Sequence, residues 1–191
     1  GEYIMANWLT HSVNEQLRTD ETVLDLCCGI GDVSDGFLYS QITGVDACEE
    51  YLIHYQQKLP NSDTILFDLS KISDSTKEIF NDNKFDNVLC IDGVEHLEKE
   101  AGIKLINKME RMARKKVIIF TPENVINPEL PTLNHPKNTW GISTGDEWQI
   151  HRSAFPRDFF IQRGYTAIQC NVAKNVYDGT EYYEMLYVKE I

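Results

Sequence analysis

The chain has 191 residues, is 42% hydrophobic and carries a net charge of −12 at neutral pH. That length suits one domain with a sizeable core over residues 1–191, and so acidic a surface repels a polyanion, which argues against nucleic acid as a partner. Apolar runs such as Val117-Ile118-Ile119-Phe120 are far too short to span a bilayer, so no membrane partner is expected.

Residues 3–18 read as a helix, with Ile4, Trp8, Leu9, Val13 and Leu17 at helical spacing. Short apolar runs follow at 22–26, 42–46, 64–68, 85–91 and 116–121, separated by amphipathic stretches at 31–39, 48–58, 71–82 and 98–114. Such alternation predicts an α/β fold, a doubly wound and mostly parallel sheet covered by helices on both faces. The basic cluster Arg111, Arg114, Lys115 and Lys116 is expected at a helix C-terminus, where it complements the dipole. The rhythm then breaks. Residues 122–153 are a long substrate-side loop whose residues to 152 include four prolines, Trp140, Trp148, His135 and His151. A helix at 155–163 ends at Gly164, and strands near 165–173 and 181–189 flank Asp178-Gly179 as an antiparallel hairpin, which brings the strand count to seven.

Five cysteines stand at 27, 28, 48, 90 and 170. No pair has the gap of a zinc knuckle, and the odd count argues against a disulfide framework. Free thiols, with no secretory pattern in the opening residues, predict a cytoplasmic protein. A metal site from His96, His135 and His151 would need a convergence that the spacing does not show, so no metal ligand is assigned.

The most informative stretch is Val23-Leu24-Asp25-Leu26-Cys27-Cys28-Gly29-Ile30-Gly31-Asp32, an apolar strand that runs into a carboxylate and two glycines spaced one apart. Fifteen residues past Gly31, a second apolar run ends on Asp46. Glycines let a ligand approach the main chain, and a carboxylate ending the next strand suits a ribose diol. In open parallel sheets the ligand lies beyond the carboxyl ends of the strands, where Asp25 to Gly31, Asp46, Asp68 and Asp92 all fall. Together they describe a pocket for a nucleoside-containing cofactor.

The whole pattern resembles the class I S-adenosylmethionine-dependent methyltransferases, small-molecule type, over roughly residues 20–190. Asp25 to Gly31 is similar to the acidic-glycine signature, with Cys27 where a glycine usually stands; cysteine is small enough to keep the turn, but the backbone there is not expected to take a conformation reserved for glycine. Gly44-Val45-Asp46 resembles the ribose-binding strand end, Phe67-Asp68-Leu69 the adenine-facing segment, and Phe85 to Leu97 the fourth strand with its trailing Glu-His-Leu. Val117 to Asn124 resembles the fifth strand. His151 to Phe155, with Asp158-Phe159 and Gly164-Tyr165, resembles the tail of small-molecule members, including those found with sugar and cell-surface biosynthesis. The resemblance implies a Rossmann-like fold with one antiparallel strand near the C-terminus, and S-adenosyl-L-methionine as cofactor. It implies cofactor contacts from Asp25, Cys27, Gly29, Gly31, Asp46, Ala47, Asp68, Leu69 and Asp92. His96 and His151 are the candidate catalytic residues, with His96 suited to a general base by its ordinary pKa.

Other readings stay open at this point. Asp46 could cap the helix beginning near Ala47, and Asp68 could cap a turn. Glu95 could open a helix, where a carboxylate suits the positive end. Trp140 and Trp148 either form a lid on a flat or sugar-like substrate or cover the core edge. Tyr3 and Trp8 are candidates to close over the cofactor. An NAD-dependent oxidoreductase would want a third glycine at position 34, which is Ser34. A non-catalytic binding or scaffold module with the same fold is the other alternative. The expected reaction is methyl transfer to an oxygen or nitrogen of a small molecule, and a homo-oligomer stays open.

Overall fold

The computed structural model describes residues 2–73, 76 and 80–191, with the backbone alone for 2–7 and 169. Seven strands form one sheet: β1 (Thr22–Leu26), β2 (Gln41–Asp46), β3 (Asp63–Leu66), β4 (Phe85–Ile91), β5 (Ala113–Asn124), β6 (Thr166–Lys174) and β7 (Glu181–Glu190). Their order is β3-β2-β1-β4-β5-β7-β6. Strands β1 to β5 are parallel, and β7 lies antiparallel between β5 and β6, as the resemblance implies.

The apolar runs make these strands because both faces of the sheet are covered. Alternate residues go to opposite sides. Val117, Ile119, Met185 and Tyr187 join one core with Leu105, Ile106 and Met109 of α3 (Lys99–Met112) and Phe160 of α4 (Arg157–Ile161). Ile118, Phe120, Leu186 and Val188 join the other, with Leu9 and Val13 of α1 (Glu2–Asn14) and Leu52 and Tyr55 of α2 (Glu49–Lys58). Trp8 packs against this second core and not against the candidate site, while the side chain of Tyr3 lies outside the described residues.

Several expectations are corrected. Residues 31–39 form turns and no helix, because Gly31 and Gly36 take left-handed φ values of 82° and 108°. Within the stretch expected at 71–82, residues 74, 75 and 77–79 lie outside the described residues. Only part of the basic cluster stands at a helix end: Arg111 lies in the last turn of α3, which stops at Met112, whereas Arg114, Lys115 and Lys116 stand on β5. There Arg114 Nε donates to Asp86 Oδ1 at 3.0 Å, Lys115 Nζ reaches Glu21 Oε1 at 3.2 Å and Lys116 Nζ donates to the Gln16 carbonyl. These links tie the N-terminal ends of the strands together, opposite the candidate site. Strand β5 also runs past 121 to Asn124, through Pro122. Pairing with β4 ends at Phe120, so beyond it β5 has a free edge on that side, where a missing N–H is tolerated.

Candidate active site

Strand order reverses at β1, which has β2 on one side and β4 on the other. A crevice therefore opens beyond the carboxyl ends of these strands. It holds a cavity of about 350 Å³, within the range of small-ligand sites. Asp25, Asp46, Asp68 and Asp92 line it, together with Cys27, Gly29, Ala47, Leu69, His96 and His151. Gly31 is the one expected site residue outside this lining. Its φ of 82° closes the turn, and a Cβ there would fall 2.9 Å from Leu59 Cδ1, so it serves packing against α2.

Asp25 sits on β1 beside Gly44 and Leu89 and is fully buried. The Ser34 and Tyr55 hydroxyls both donate to its Oδ2, the second at 3.0 Å. Burial pushes the Asp25 carboxyl up to about 6 against the pull of these hydroxyls, and the Asp46 charge adds to the rise. Asp46 ends β2 and is itself a hub. Its Oδ2 accepts from the Gly29 N–H and its Oδ1 from the Cys48 N–H, each at 3.0 Å. Burial also raises the Asp46 pKa, opposed by the N–H groups of Cys48, Gly29 and Ala47. The same carboxylate thus holds the glycine loop and the start of the next helix, while facing the cavity.

Cys27 takes a φ of 55°, although it stands where the resemblance expects a glycine. The chain accepts the left-handed strain there, which costs about 1–2 kcal/mol in a residue with a Cβ. Asp92, just past β4, has the same backbone geometry at φ 49°, and its N–H donates to the Phe120 carbonyl. Asp68 does cap a turn, accepting from the Ser70 N–H at 3.0 Å, and it borders the cavity as well.

Glu95 does not begin an α-helix. It sits in a short turn, Val94–His96, with its side chain buried. Thr121 Oγ1 donates to its Oε2 at 3.0 Å, and burial pushes the carboxyl up to about 7. The Glu95 carbonyl accepts from the N–H groups of Arg152 and Ser153, which anchors the end of the long loop. That anchor brings His151 to His96, with ring centroids 5.0 Å apart. Burial lowers the His96 pKa, and burial together with His96 pushes His151 down to about 3. His135 turns elsewhere, its ring set edge-on against Tyr177.

Trp140 and Trp148 both border the cavity. The Trp140 indole lies over Gly29, where a Cβ would fall 2.9 Å from Cη2, and it meets Tyr51 edge to face at 5.1 Å. Tyr51, Ile142 and Trp148 form a small apolar cluster that seats the loop on α2. Gly145 is the tight point, because a Cβ there would come within 1.9 Å of the Tyr51 hydroxyl. Gly145→Ala should therefore unseat the loop or lower stability by about 1–3 kcal/mol. Denaturant unfolding, with hydrogen exchange over 139–149, checks this; a variant unchanged in both would show that the seat is not rigid.

Sequence reasoning passed over Tyr51, Tyr55 and Ser34. The signal for Ser34 was present but read only as a missing third glycine.

The chain is similar to known methyltransferases in sequence and in fold. Residues 23–116 match the family described as the methyltransferase domain. YqeM of Bacillus subtilis (strain 168), named as a methyltransferase candidate, is 36% identical over 121 residues, 59% of this chain and 44% of that protein. N-methyltransferase 4 of Papaver somniferum is 30% identical over 92 residues, 44% of this chain and 24% of its own length. The matched part is thus less than half of either relative. Among solved structures, the Burkholderia thailandensis 1,6-didemethyltoxoflavin-N1-methyltransferase superposes with a TM-score of 0.63 at 17% identity, covering 96% of this chain and 77% of that one. A Methanosarcina mazei methyltransferase gives 0.66 at 12% identity, covering 94% and 96%. Just under half of the chain thus matches the methyltransferase domain, and its fold is shared with solved S-adenosylmethionine-dependent methyltransferases.

Proposed function

We propose that the protein transfers a methyl group from S-adenosylmethionine to an oxygen or nitrogen of a small molecule, such as a sugar or another biosynthetic intermediate. The observation that carries this reading is the convergence of Asp25, Asp46, Asp68 and the Gly29 loop on one cavity that His96, His151 and two tryptophans also line. The residues fit the cofactor. Asp46 suits the ribose hydroxyls, Asp25 the methionine ammonium, and Asp68, with Phe67 and Leu69, the adenine. Cys27, Gly29 and Ala47 supply backbone along the same path, and Asp92 stands toward the methionine end. The magnesium protoporphyrin IX methyltransferase of Synechocystis PCC 6803 (TM-score 0.54) was crystallised with this donor, and the toxoflavin enzyme with the demethylated product of the donor and its small-molecule acceptor.

When bound, the cofactor supplies a methyl group already activated by its sulfonium. The chain then has to orient the acceptor, exclude water and take up a proton where the acceptor carries one. Orientation alone is worth up to about 7–11 kcal/mol in the best cases. Trp140 and Trp148 offer flat apolar cover, and His96 and His151 offer nitrogens on the acceptor side. The acidic surface favours a neutral or cationic acceptor over a polyphosphate. No described helix is long and apolar enough to cross a membrane. All five cysteines are free thiols, which supports a cytoplasmic, reducing compartment.

Isothermal titration with S-adenosylmethionine, S-adenosylhomocysteine and NAD tests the reading. The first two should bind at one equivalent and NAD should not. Failure to bind either adenosyl compound would overturn the proposal in favour of a scaffold role.

A further inference from the structure

Glu95, His96 and His151 present one carboxylate oxygen and two imidazole nitrogens that all lie within 4.8 Å of one another. We infer that these three side chains bind one divalent cation of borderline softness, such as Zn²⁺, and that the cation holds an oxygen acceptor by a pair of neighbouring oxygens, as in a diol or an α-hydroxy acid. The inference rests on the methyl-transfer reading and deepens it, and it departs from the sequence-based expectation that no residue ligates a metal.

Two observations carry it. The first is the state of Glu95. Its side chain is 2% exposed, Oε2 is held by Thr121, and Oε1 makes no hydrogen bond among the described residues. A buried carboxylate oxygen left in that state wants a cation or a donor. Oε1 lies 3.9 Å from His96 Nε2, too far for a hydrogen bond. The second is how the two imidazoles are held. His96 Nδ1 faces the Ile150 carbonyl at 3.4 Å, and His151 Nδ1 is 2.6 Å from Thr132 Oγ1. Each ring is thus oriented through one nitrogen, leaving Nε2 for a ligand, which is how metal-binding histidines are commonly braced.

Ligand atoms around Zn²⁺ lie about 3.4 Å apart, given bonds of about 2.1 Å, so the triad must draw together by about 1 Å. Two imidazoles and one carboxylate leave coordination positions open, and they favour zinc, manganese, iron or cobalt over calcium. All three residues border the same cavity as Asp46, so a bound cation would face the acceptor. A hydroxyl on the cation loses its proton to solvent more readily. Its oxygen lone pair then forms the bond to the methyl carbon, and the carbon–sulfur pair returns to sulfur as a neutral thioether.

The test titrates the full chain, first stripped with a chelator, with Zn²⁺ by calorimetry and with Co²⁺ by visible absorption. One equivalent of each should bind. Binding should weaken tenfold or more in Glu95→Gln, in His96→Ala and in His151→Gln, the last a loop position outside the core, while His135→Ala should leave it intact. No binding to the parent chain, or binding that survives His151→Gln, overturns the inference. Titrating S-adenosylmethionine into the same samples separates the two claims. Donor binding without metal binding sinks only this inference, and loss of donor binding sinks the methyl-transfer reading beneath it.

Discussion

Replacing Asp46 by alanine is expected to weaken binding of S-adenosylmethionine by about 1–3 kcal/mol, roughly 5- to 150-fold in the dissociation constant. The reason is partly direct. In the proposed cofactor site the carboxylate at the end of β2 accepts from two ribose hydroxyls, and alanine removes both acceptors. It is also indirect, because Asp46 accepts from the Gly29 and Cys48 N–H groups. Without those bonds, the glycine loop and the first turn of α2 lose a shared anchor. The two parts separate by experiment. Loss of the anchor lowers the unfolding free energy of the free protein, whereas loss of the ribose contact leaves it unchanged and reduces only the stabilisation that added cofactor gives. Calorimetric titration beside thermal unfolding, with and without cofactor, reads both. An unchanged affinity would remove Asp46 from the ribose site, whatever happened to stability.

The parts of this site that could be read in the sequence are those fixed by local chemistry. Strands buried on both faces show themselves as unbroken apolar runs, so Val117 to Phe120 was plain. Carboxylates at the ends of such runs, Asp25 and Asp46, follow from the run itself. What could not be read depends on partners distant in the chain. Nothing near Ser34 says that its hydroxyl will meet Asp25, and nothing near His151 says that a loop anchored on the Glu95 carbonyl will bring it to His96. Glu95 shows the same limit. Its place in the chain suggests the opening of a helix, and only the tertiary fold buries it and puts Thr121 against it. Two failures were local. The stretch 31–39 has an amphipathic pattern, but the left-handed glycines at 31 and 36 outweigh it. Cys27 adopts the strained φ that residue type disfavours, because the strand before it and the Asp46-tethered loop after it leave no other path.

Through Asp25, stability and the proposed cofactor binding should both depend on pH. Its carboxyl is raised from 3.8 to about 6, chiefly by burial, which corresponds to about 3 kcal/mol. The folded state therefore holds this proton more tightly than the unfolded chain does. The stability that protonated Asp25 contributes is present in full below about pH 4, and it is lost as pH rises through about 6. Asp25→Asn keeps an oxygen for the Ser34 and Tyr55 hydroxyls but cannot ionise. The stability of the parent minus that of the variant should thus fall by about 3 kcal/mol between pH 4 and 7, as measured by denaturant unfolding across that range. Taking the difference cancels the titration of the other carboxylates. A cationic ligand group beside Asp25 would reverse the penalty, because it favours the charged carboxylate that burial disfavours. If the methionine ammonium binds there, affinity for S-adenosylmethionine should climb roughly tenfold from pH 5 to 7 in the parent, as Asp25 ionises, and stay level in Asp25→Asn. A pH-independent stability difference would show that Asp25 is already ionised in the fold. A stability difference that falls as expected, with no rise in affinity, would place the ammonium elsewhere in the cavity.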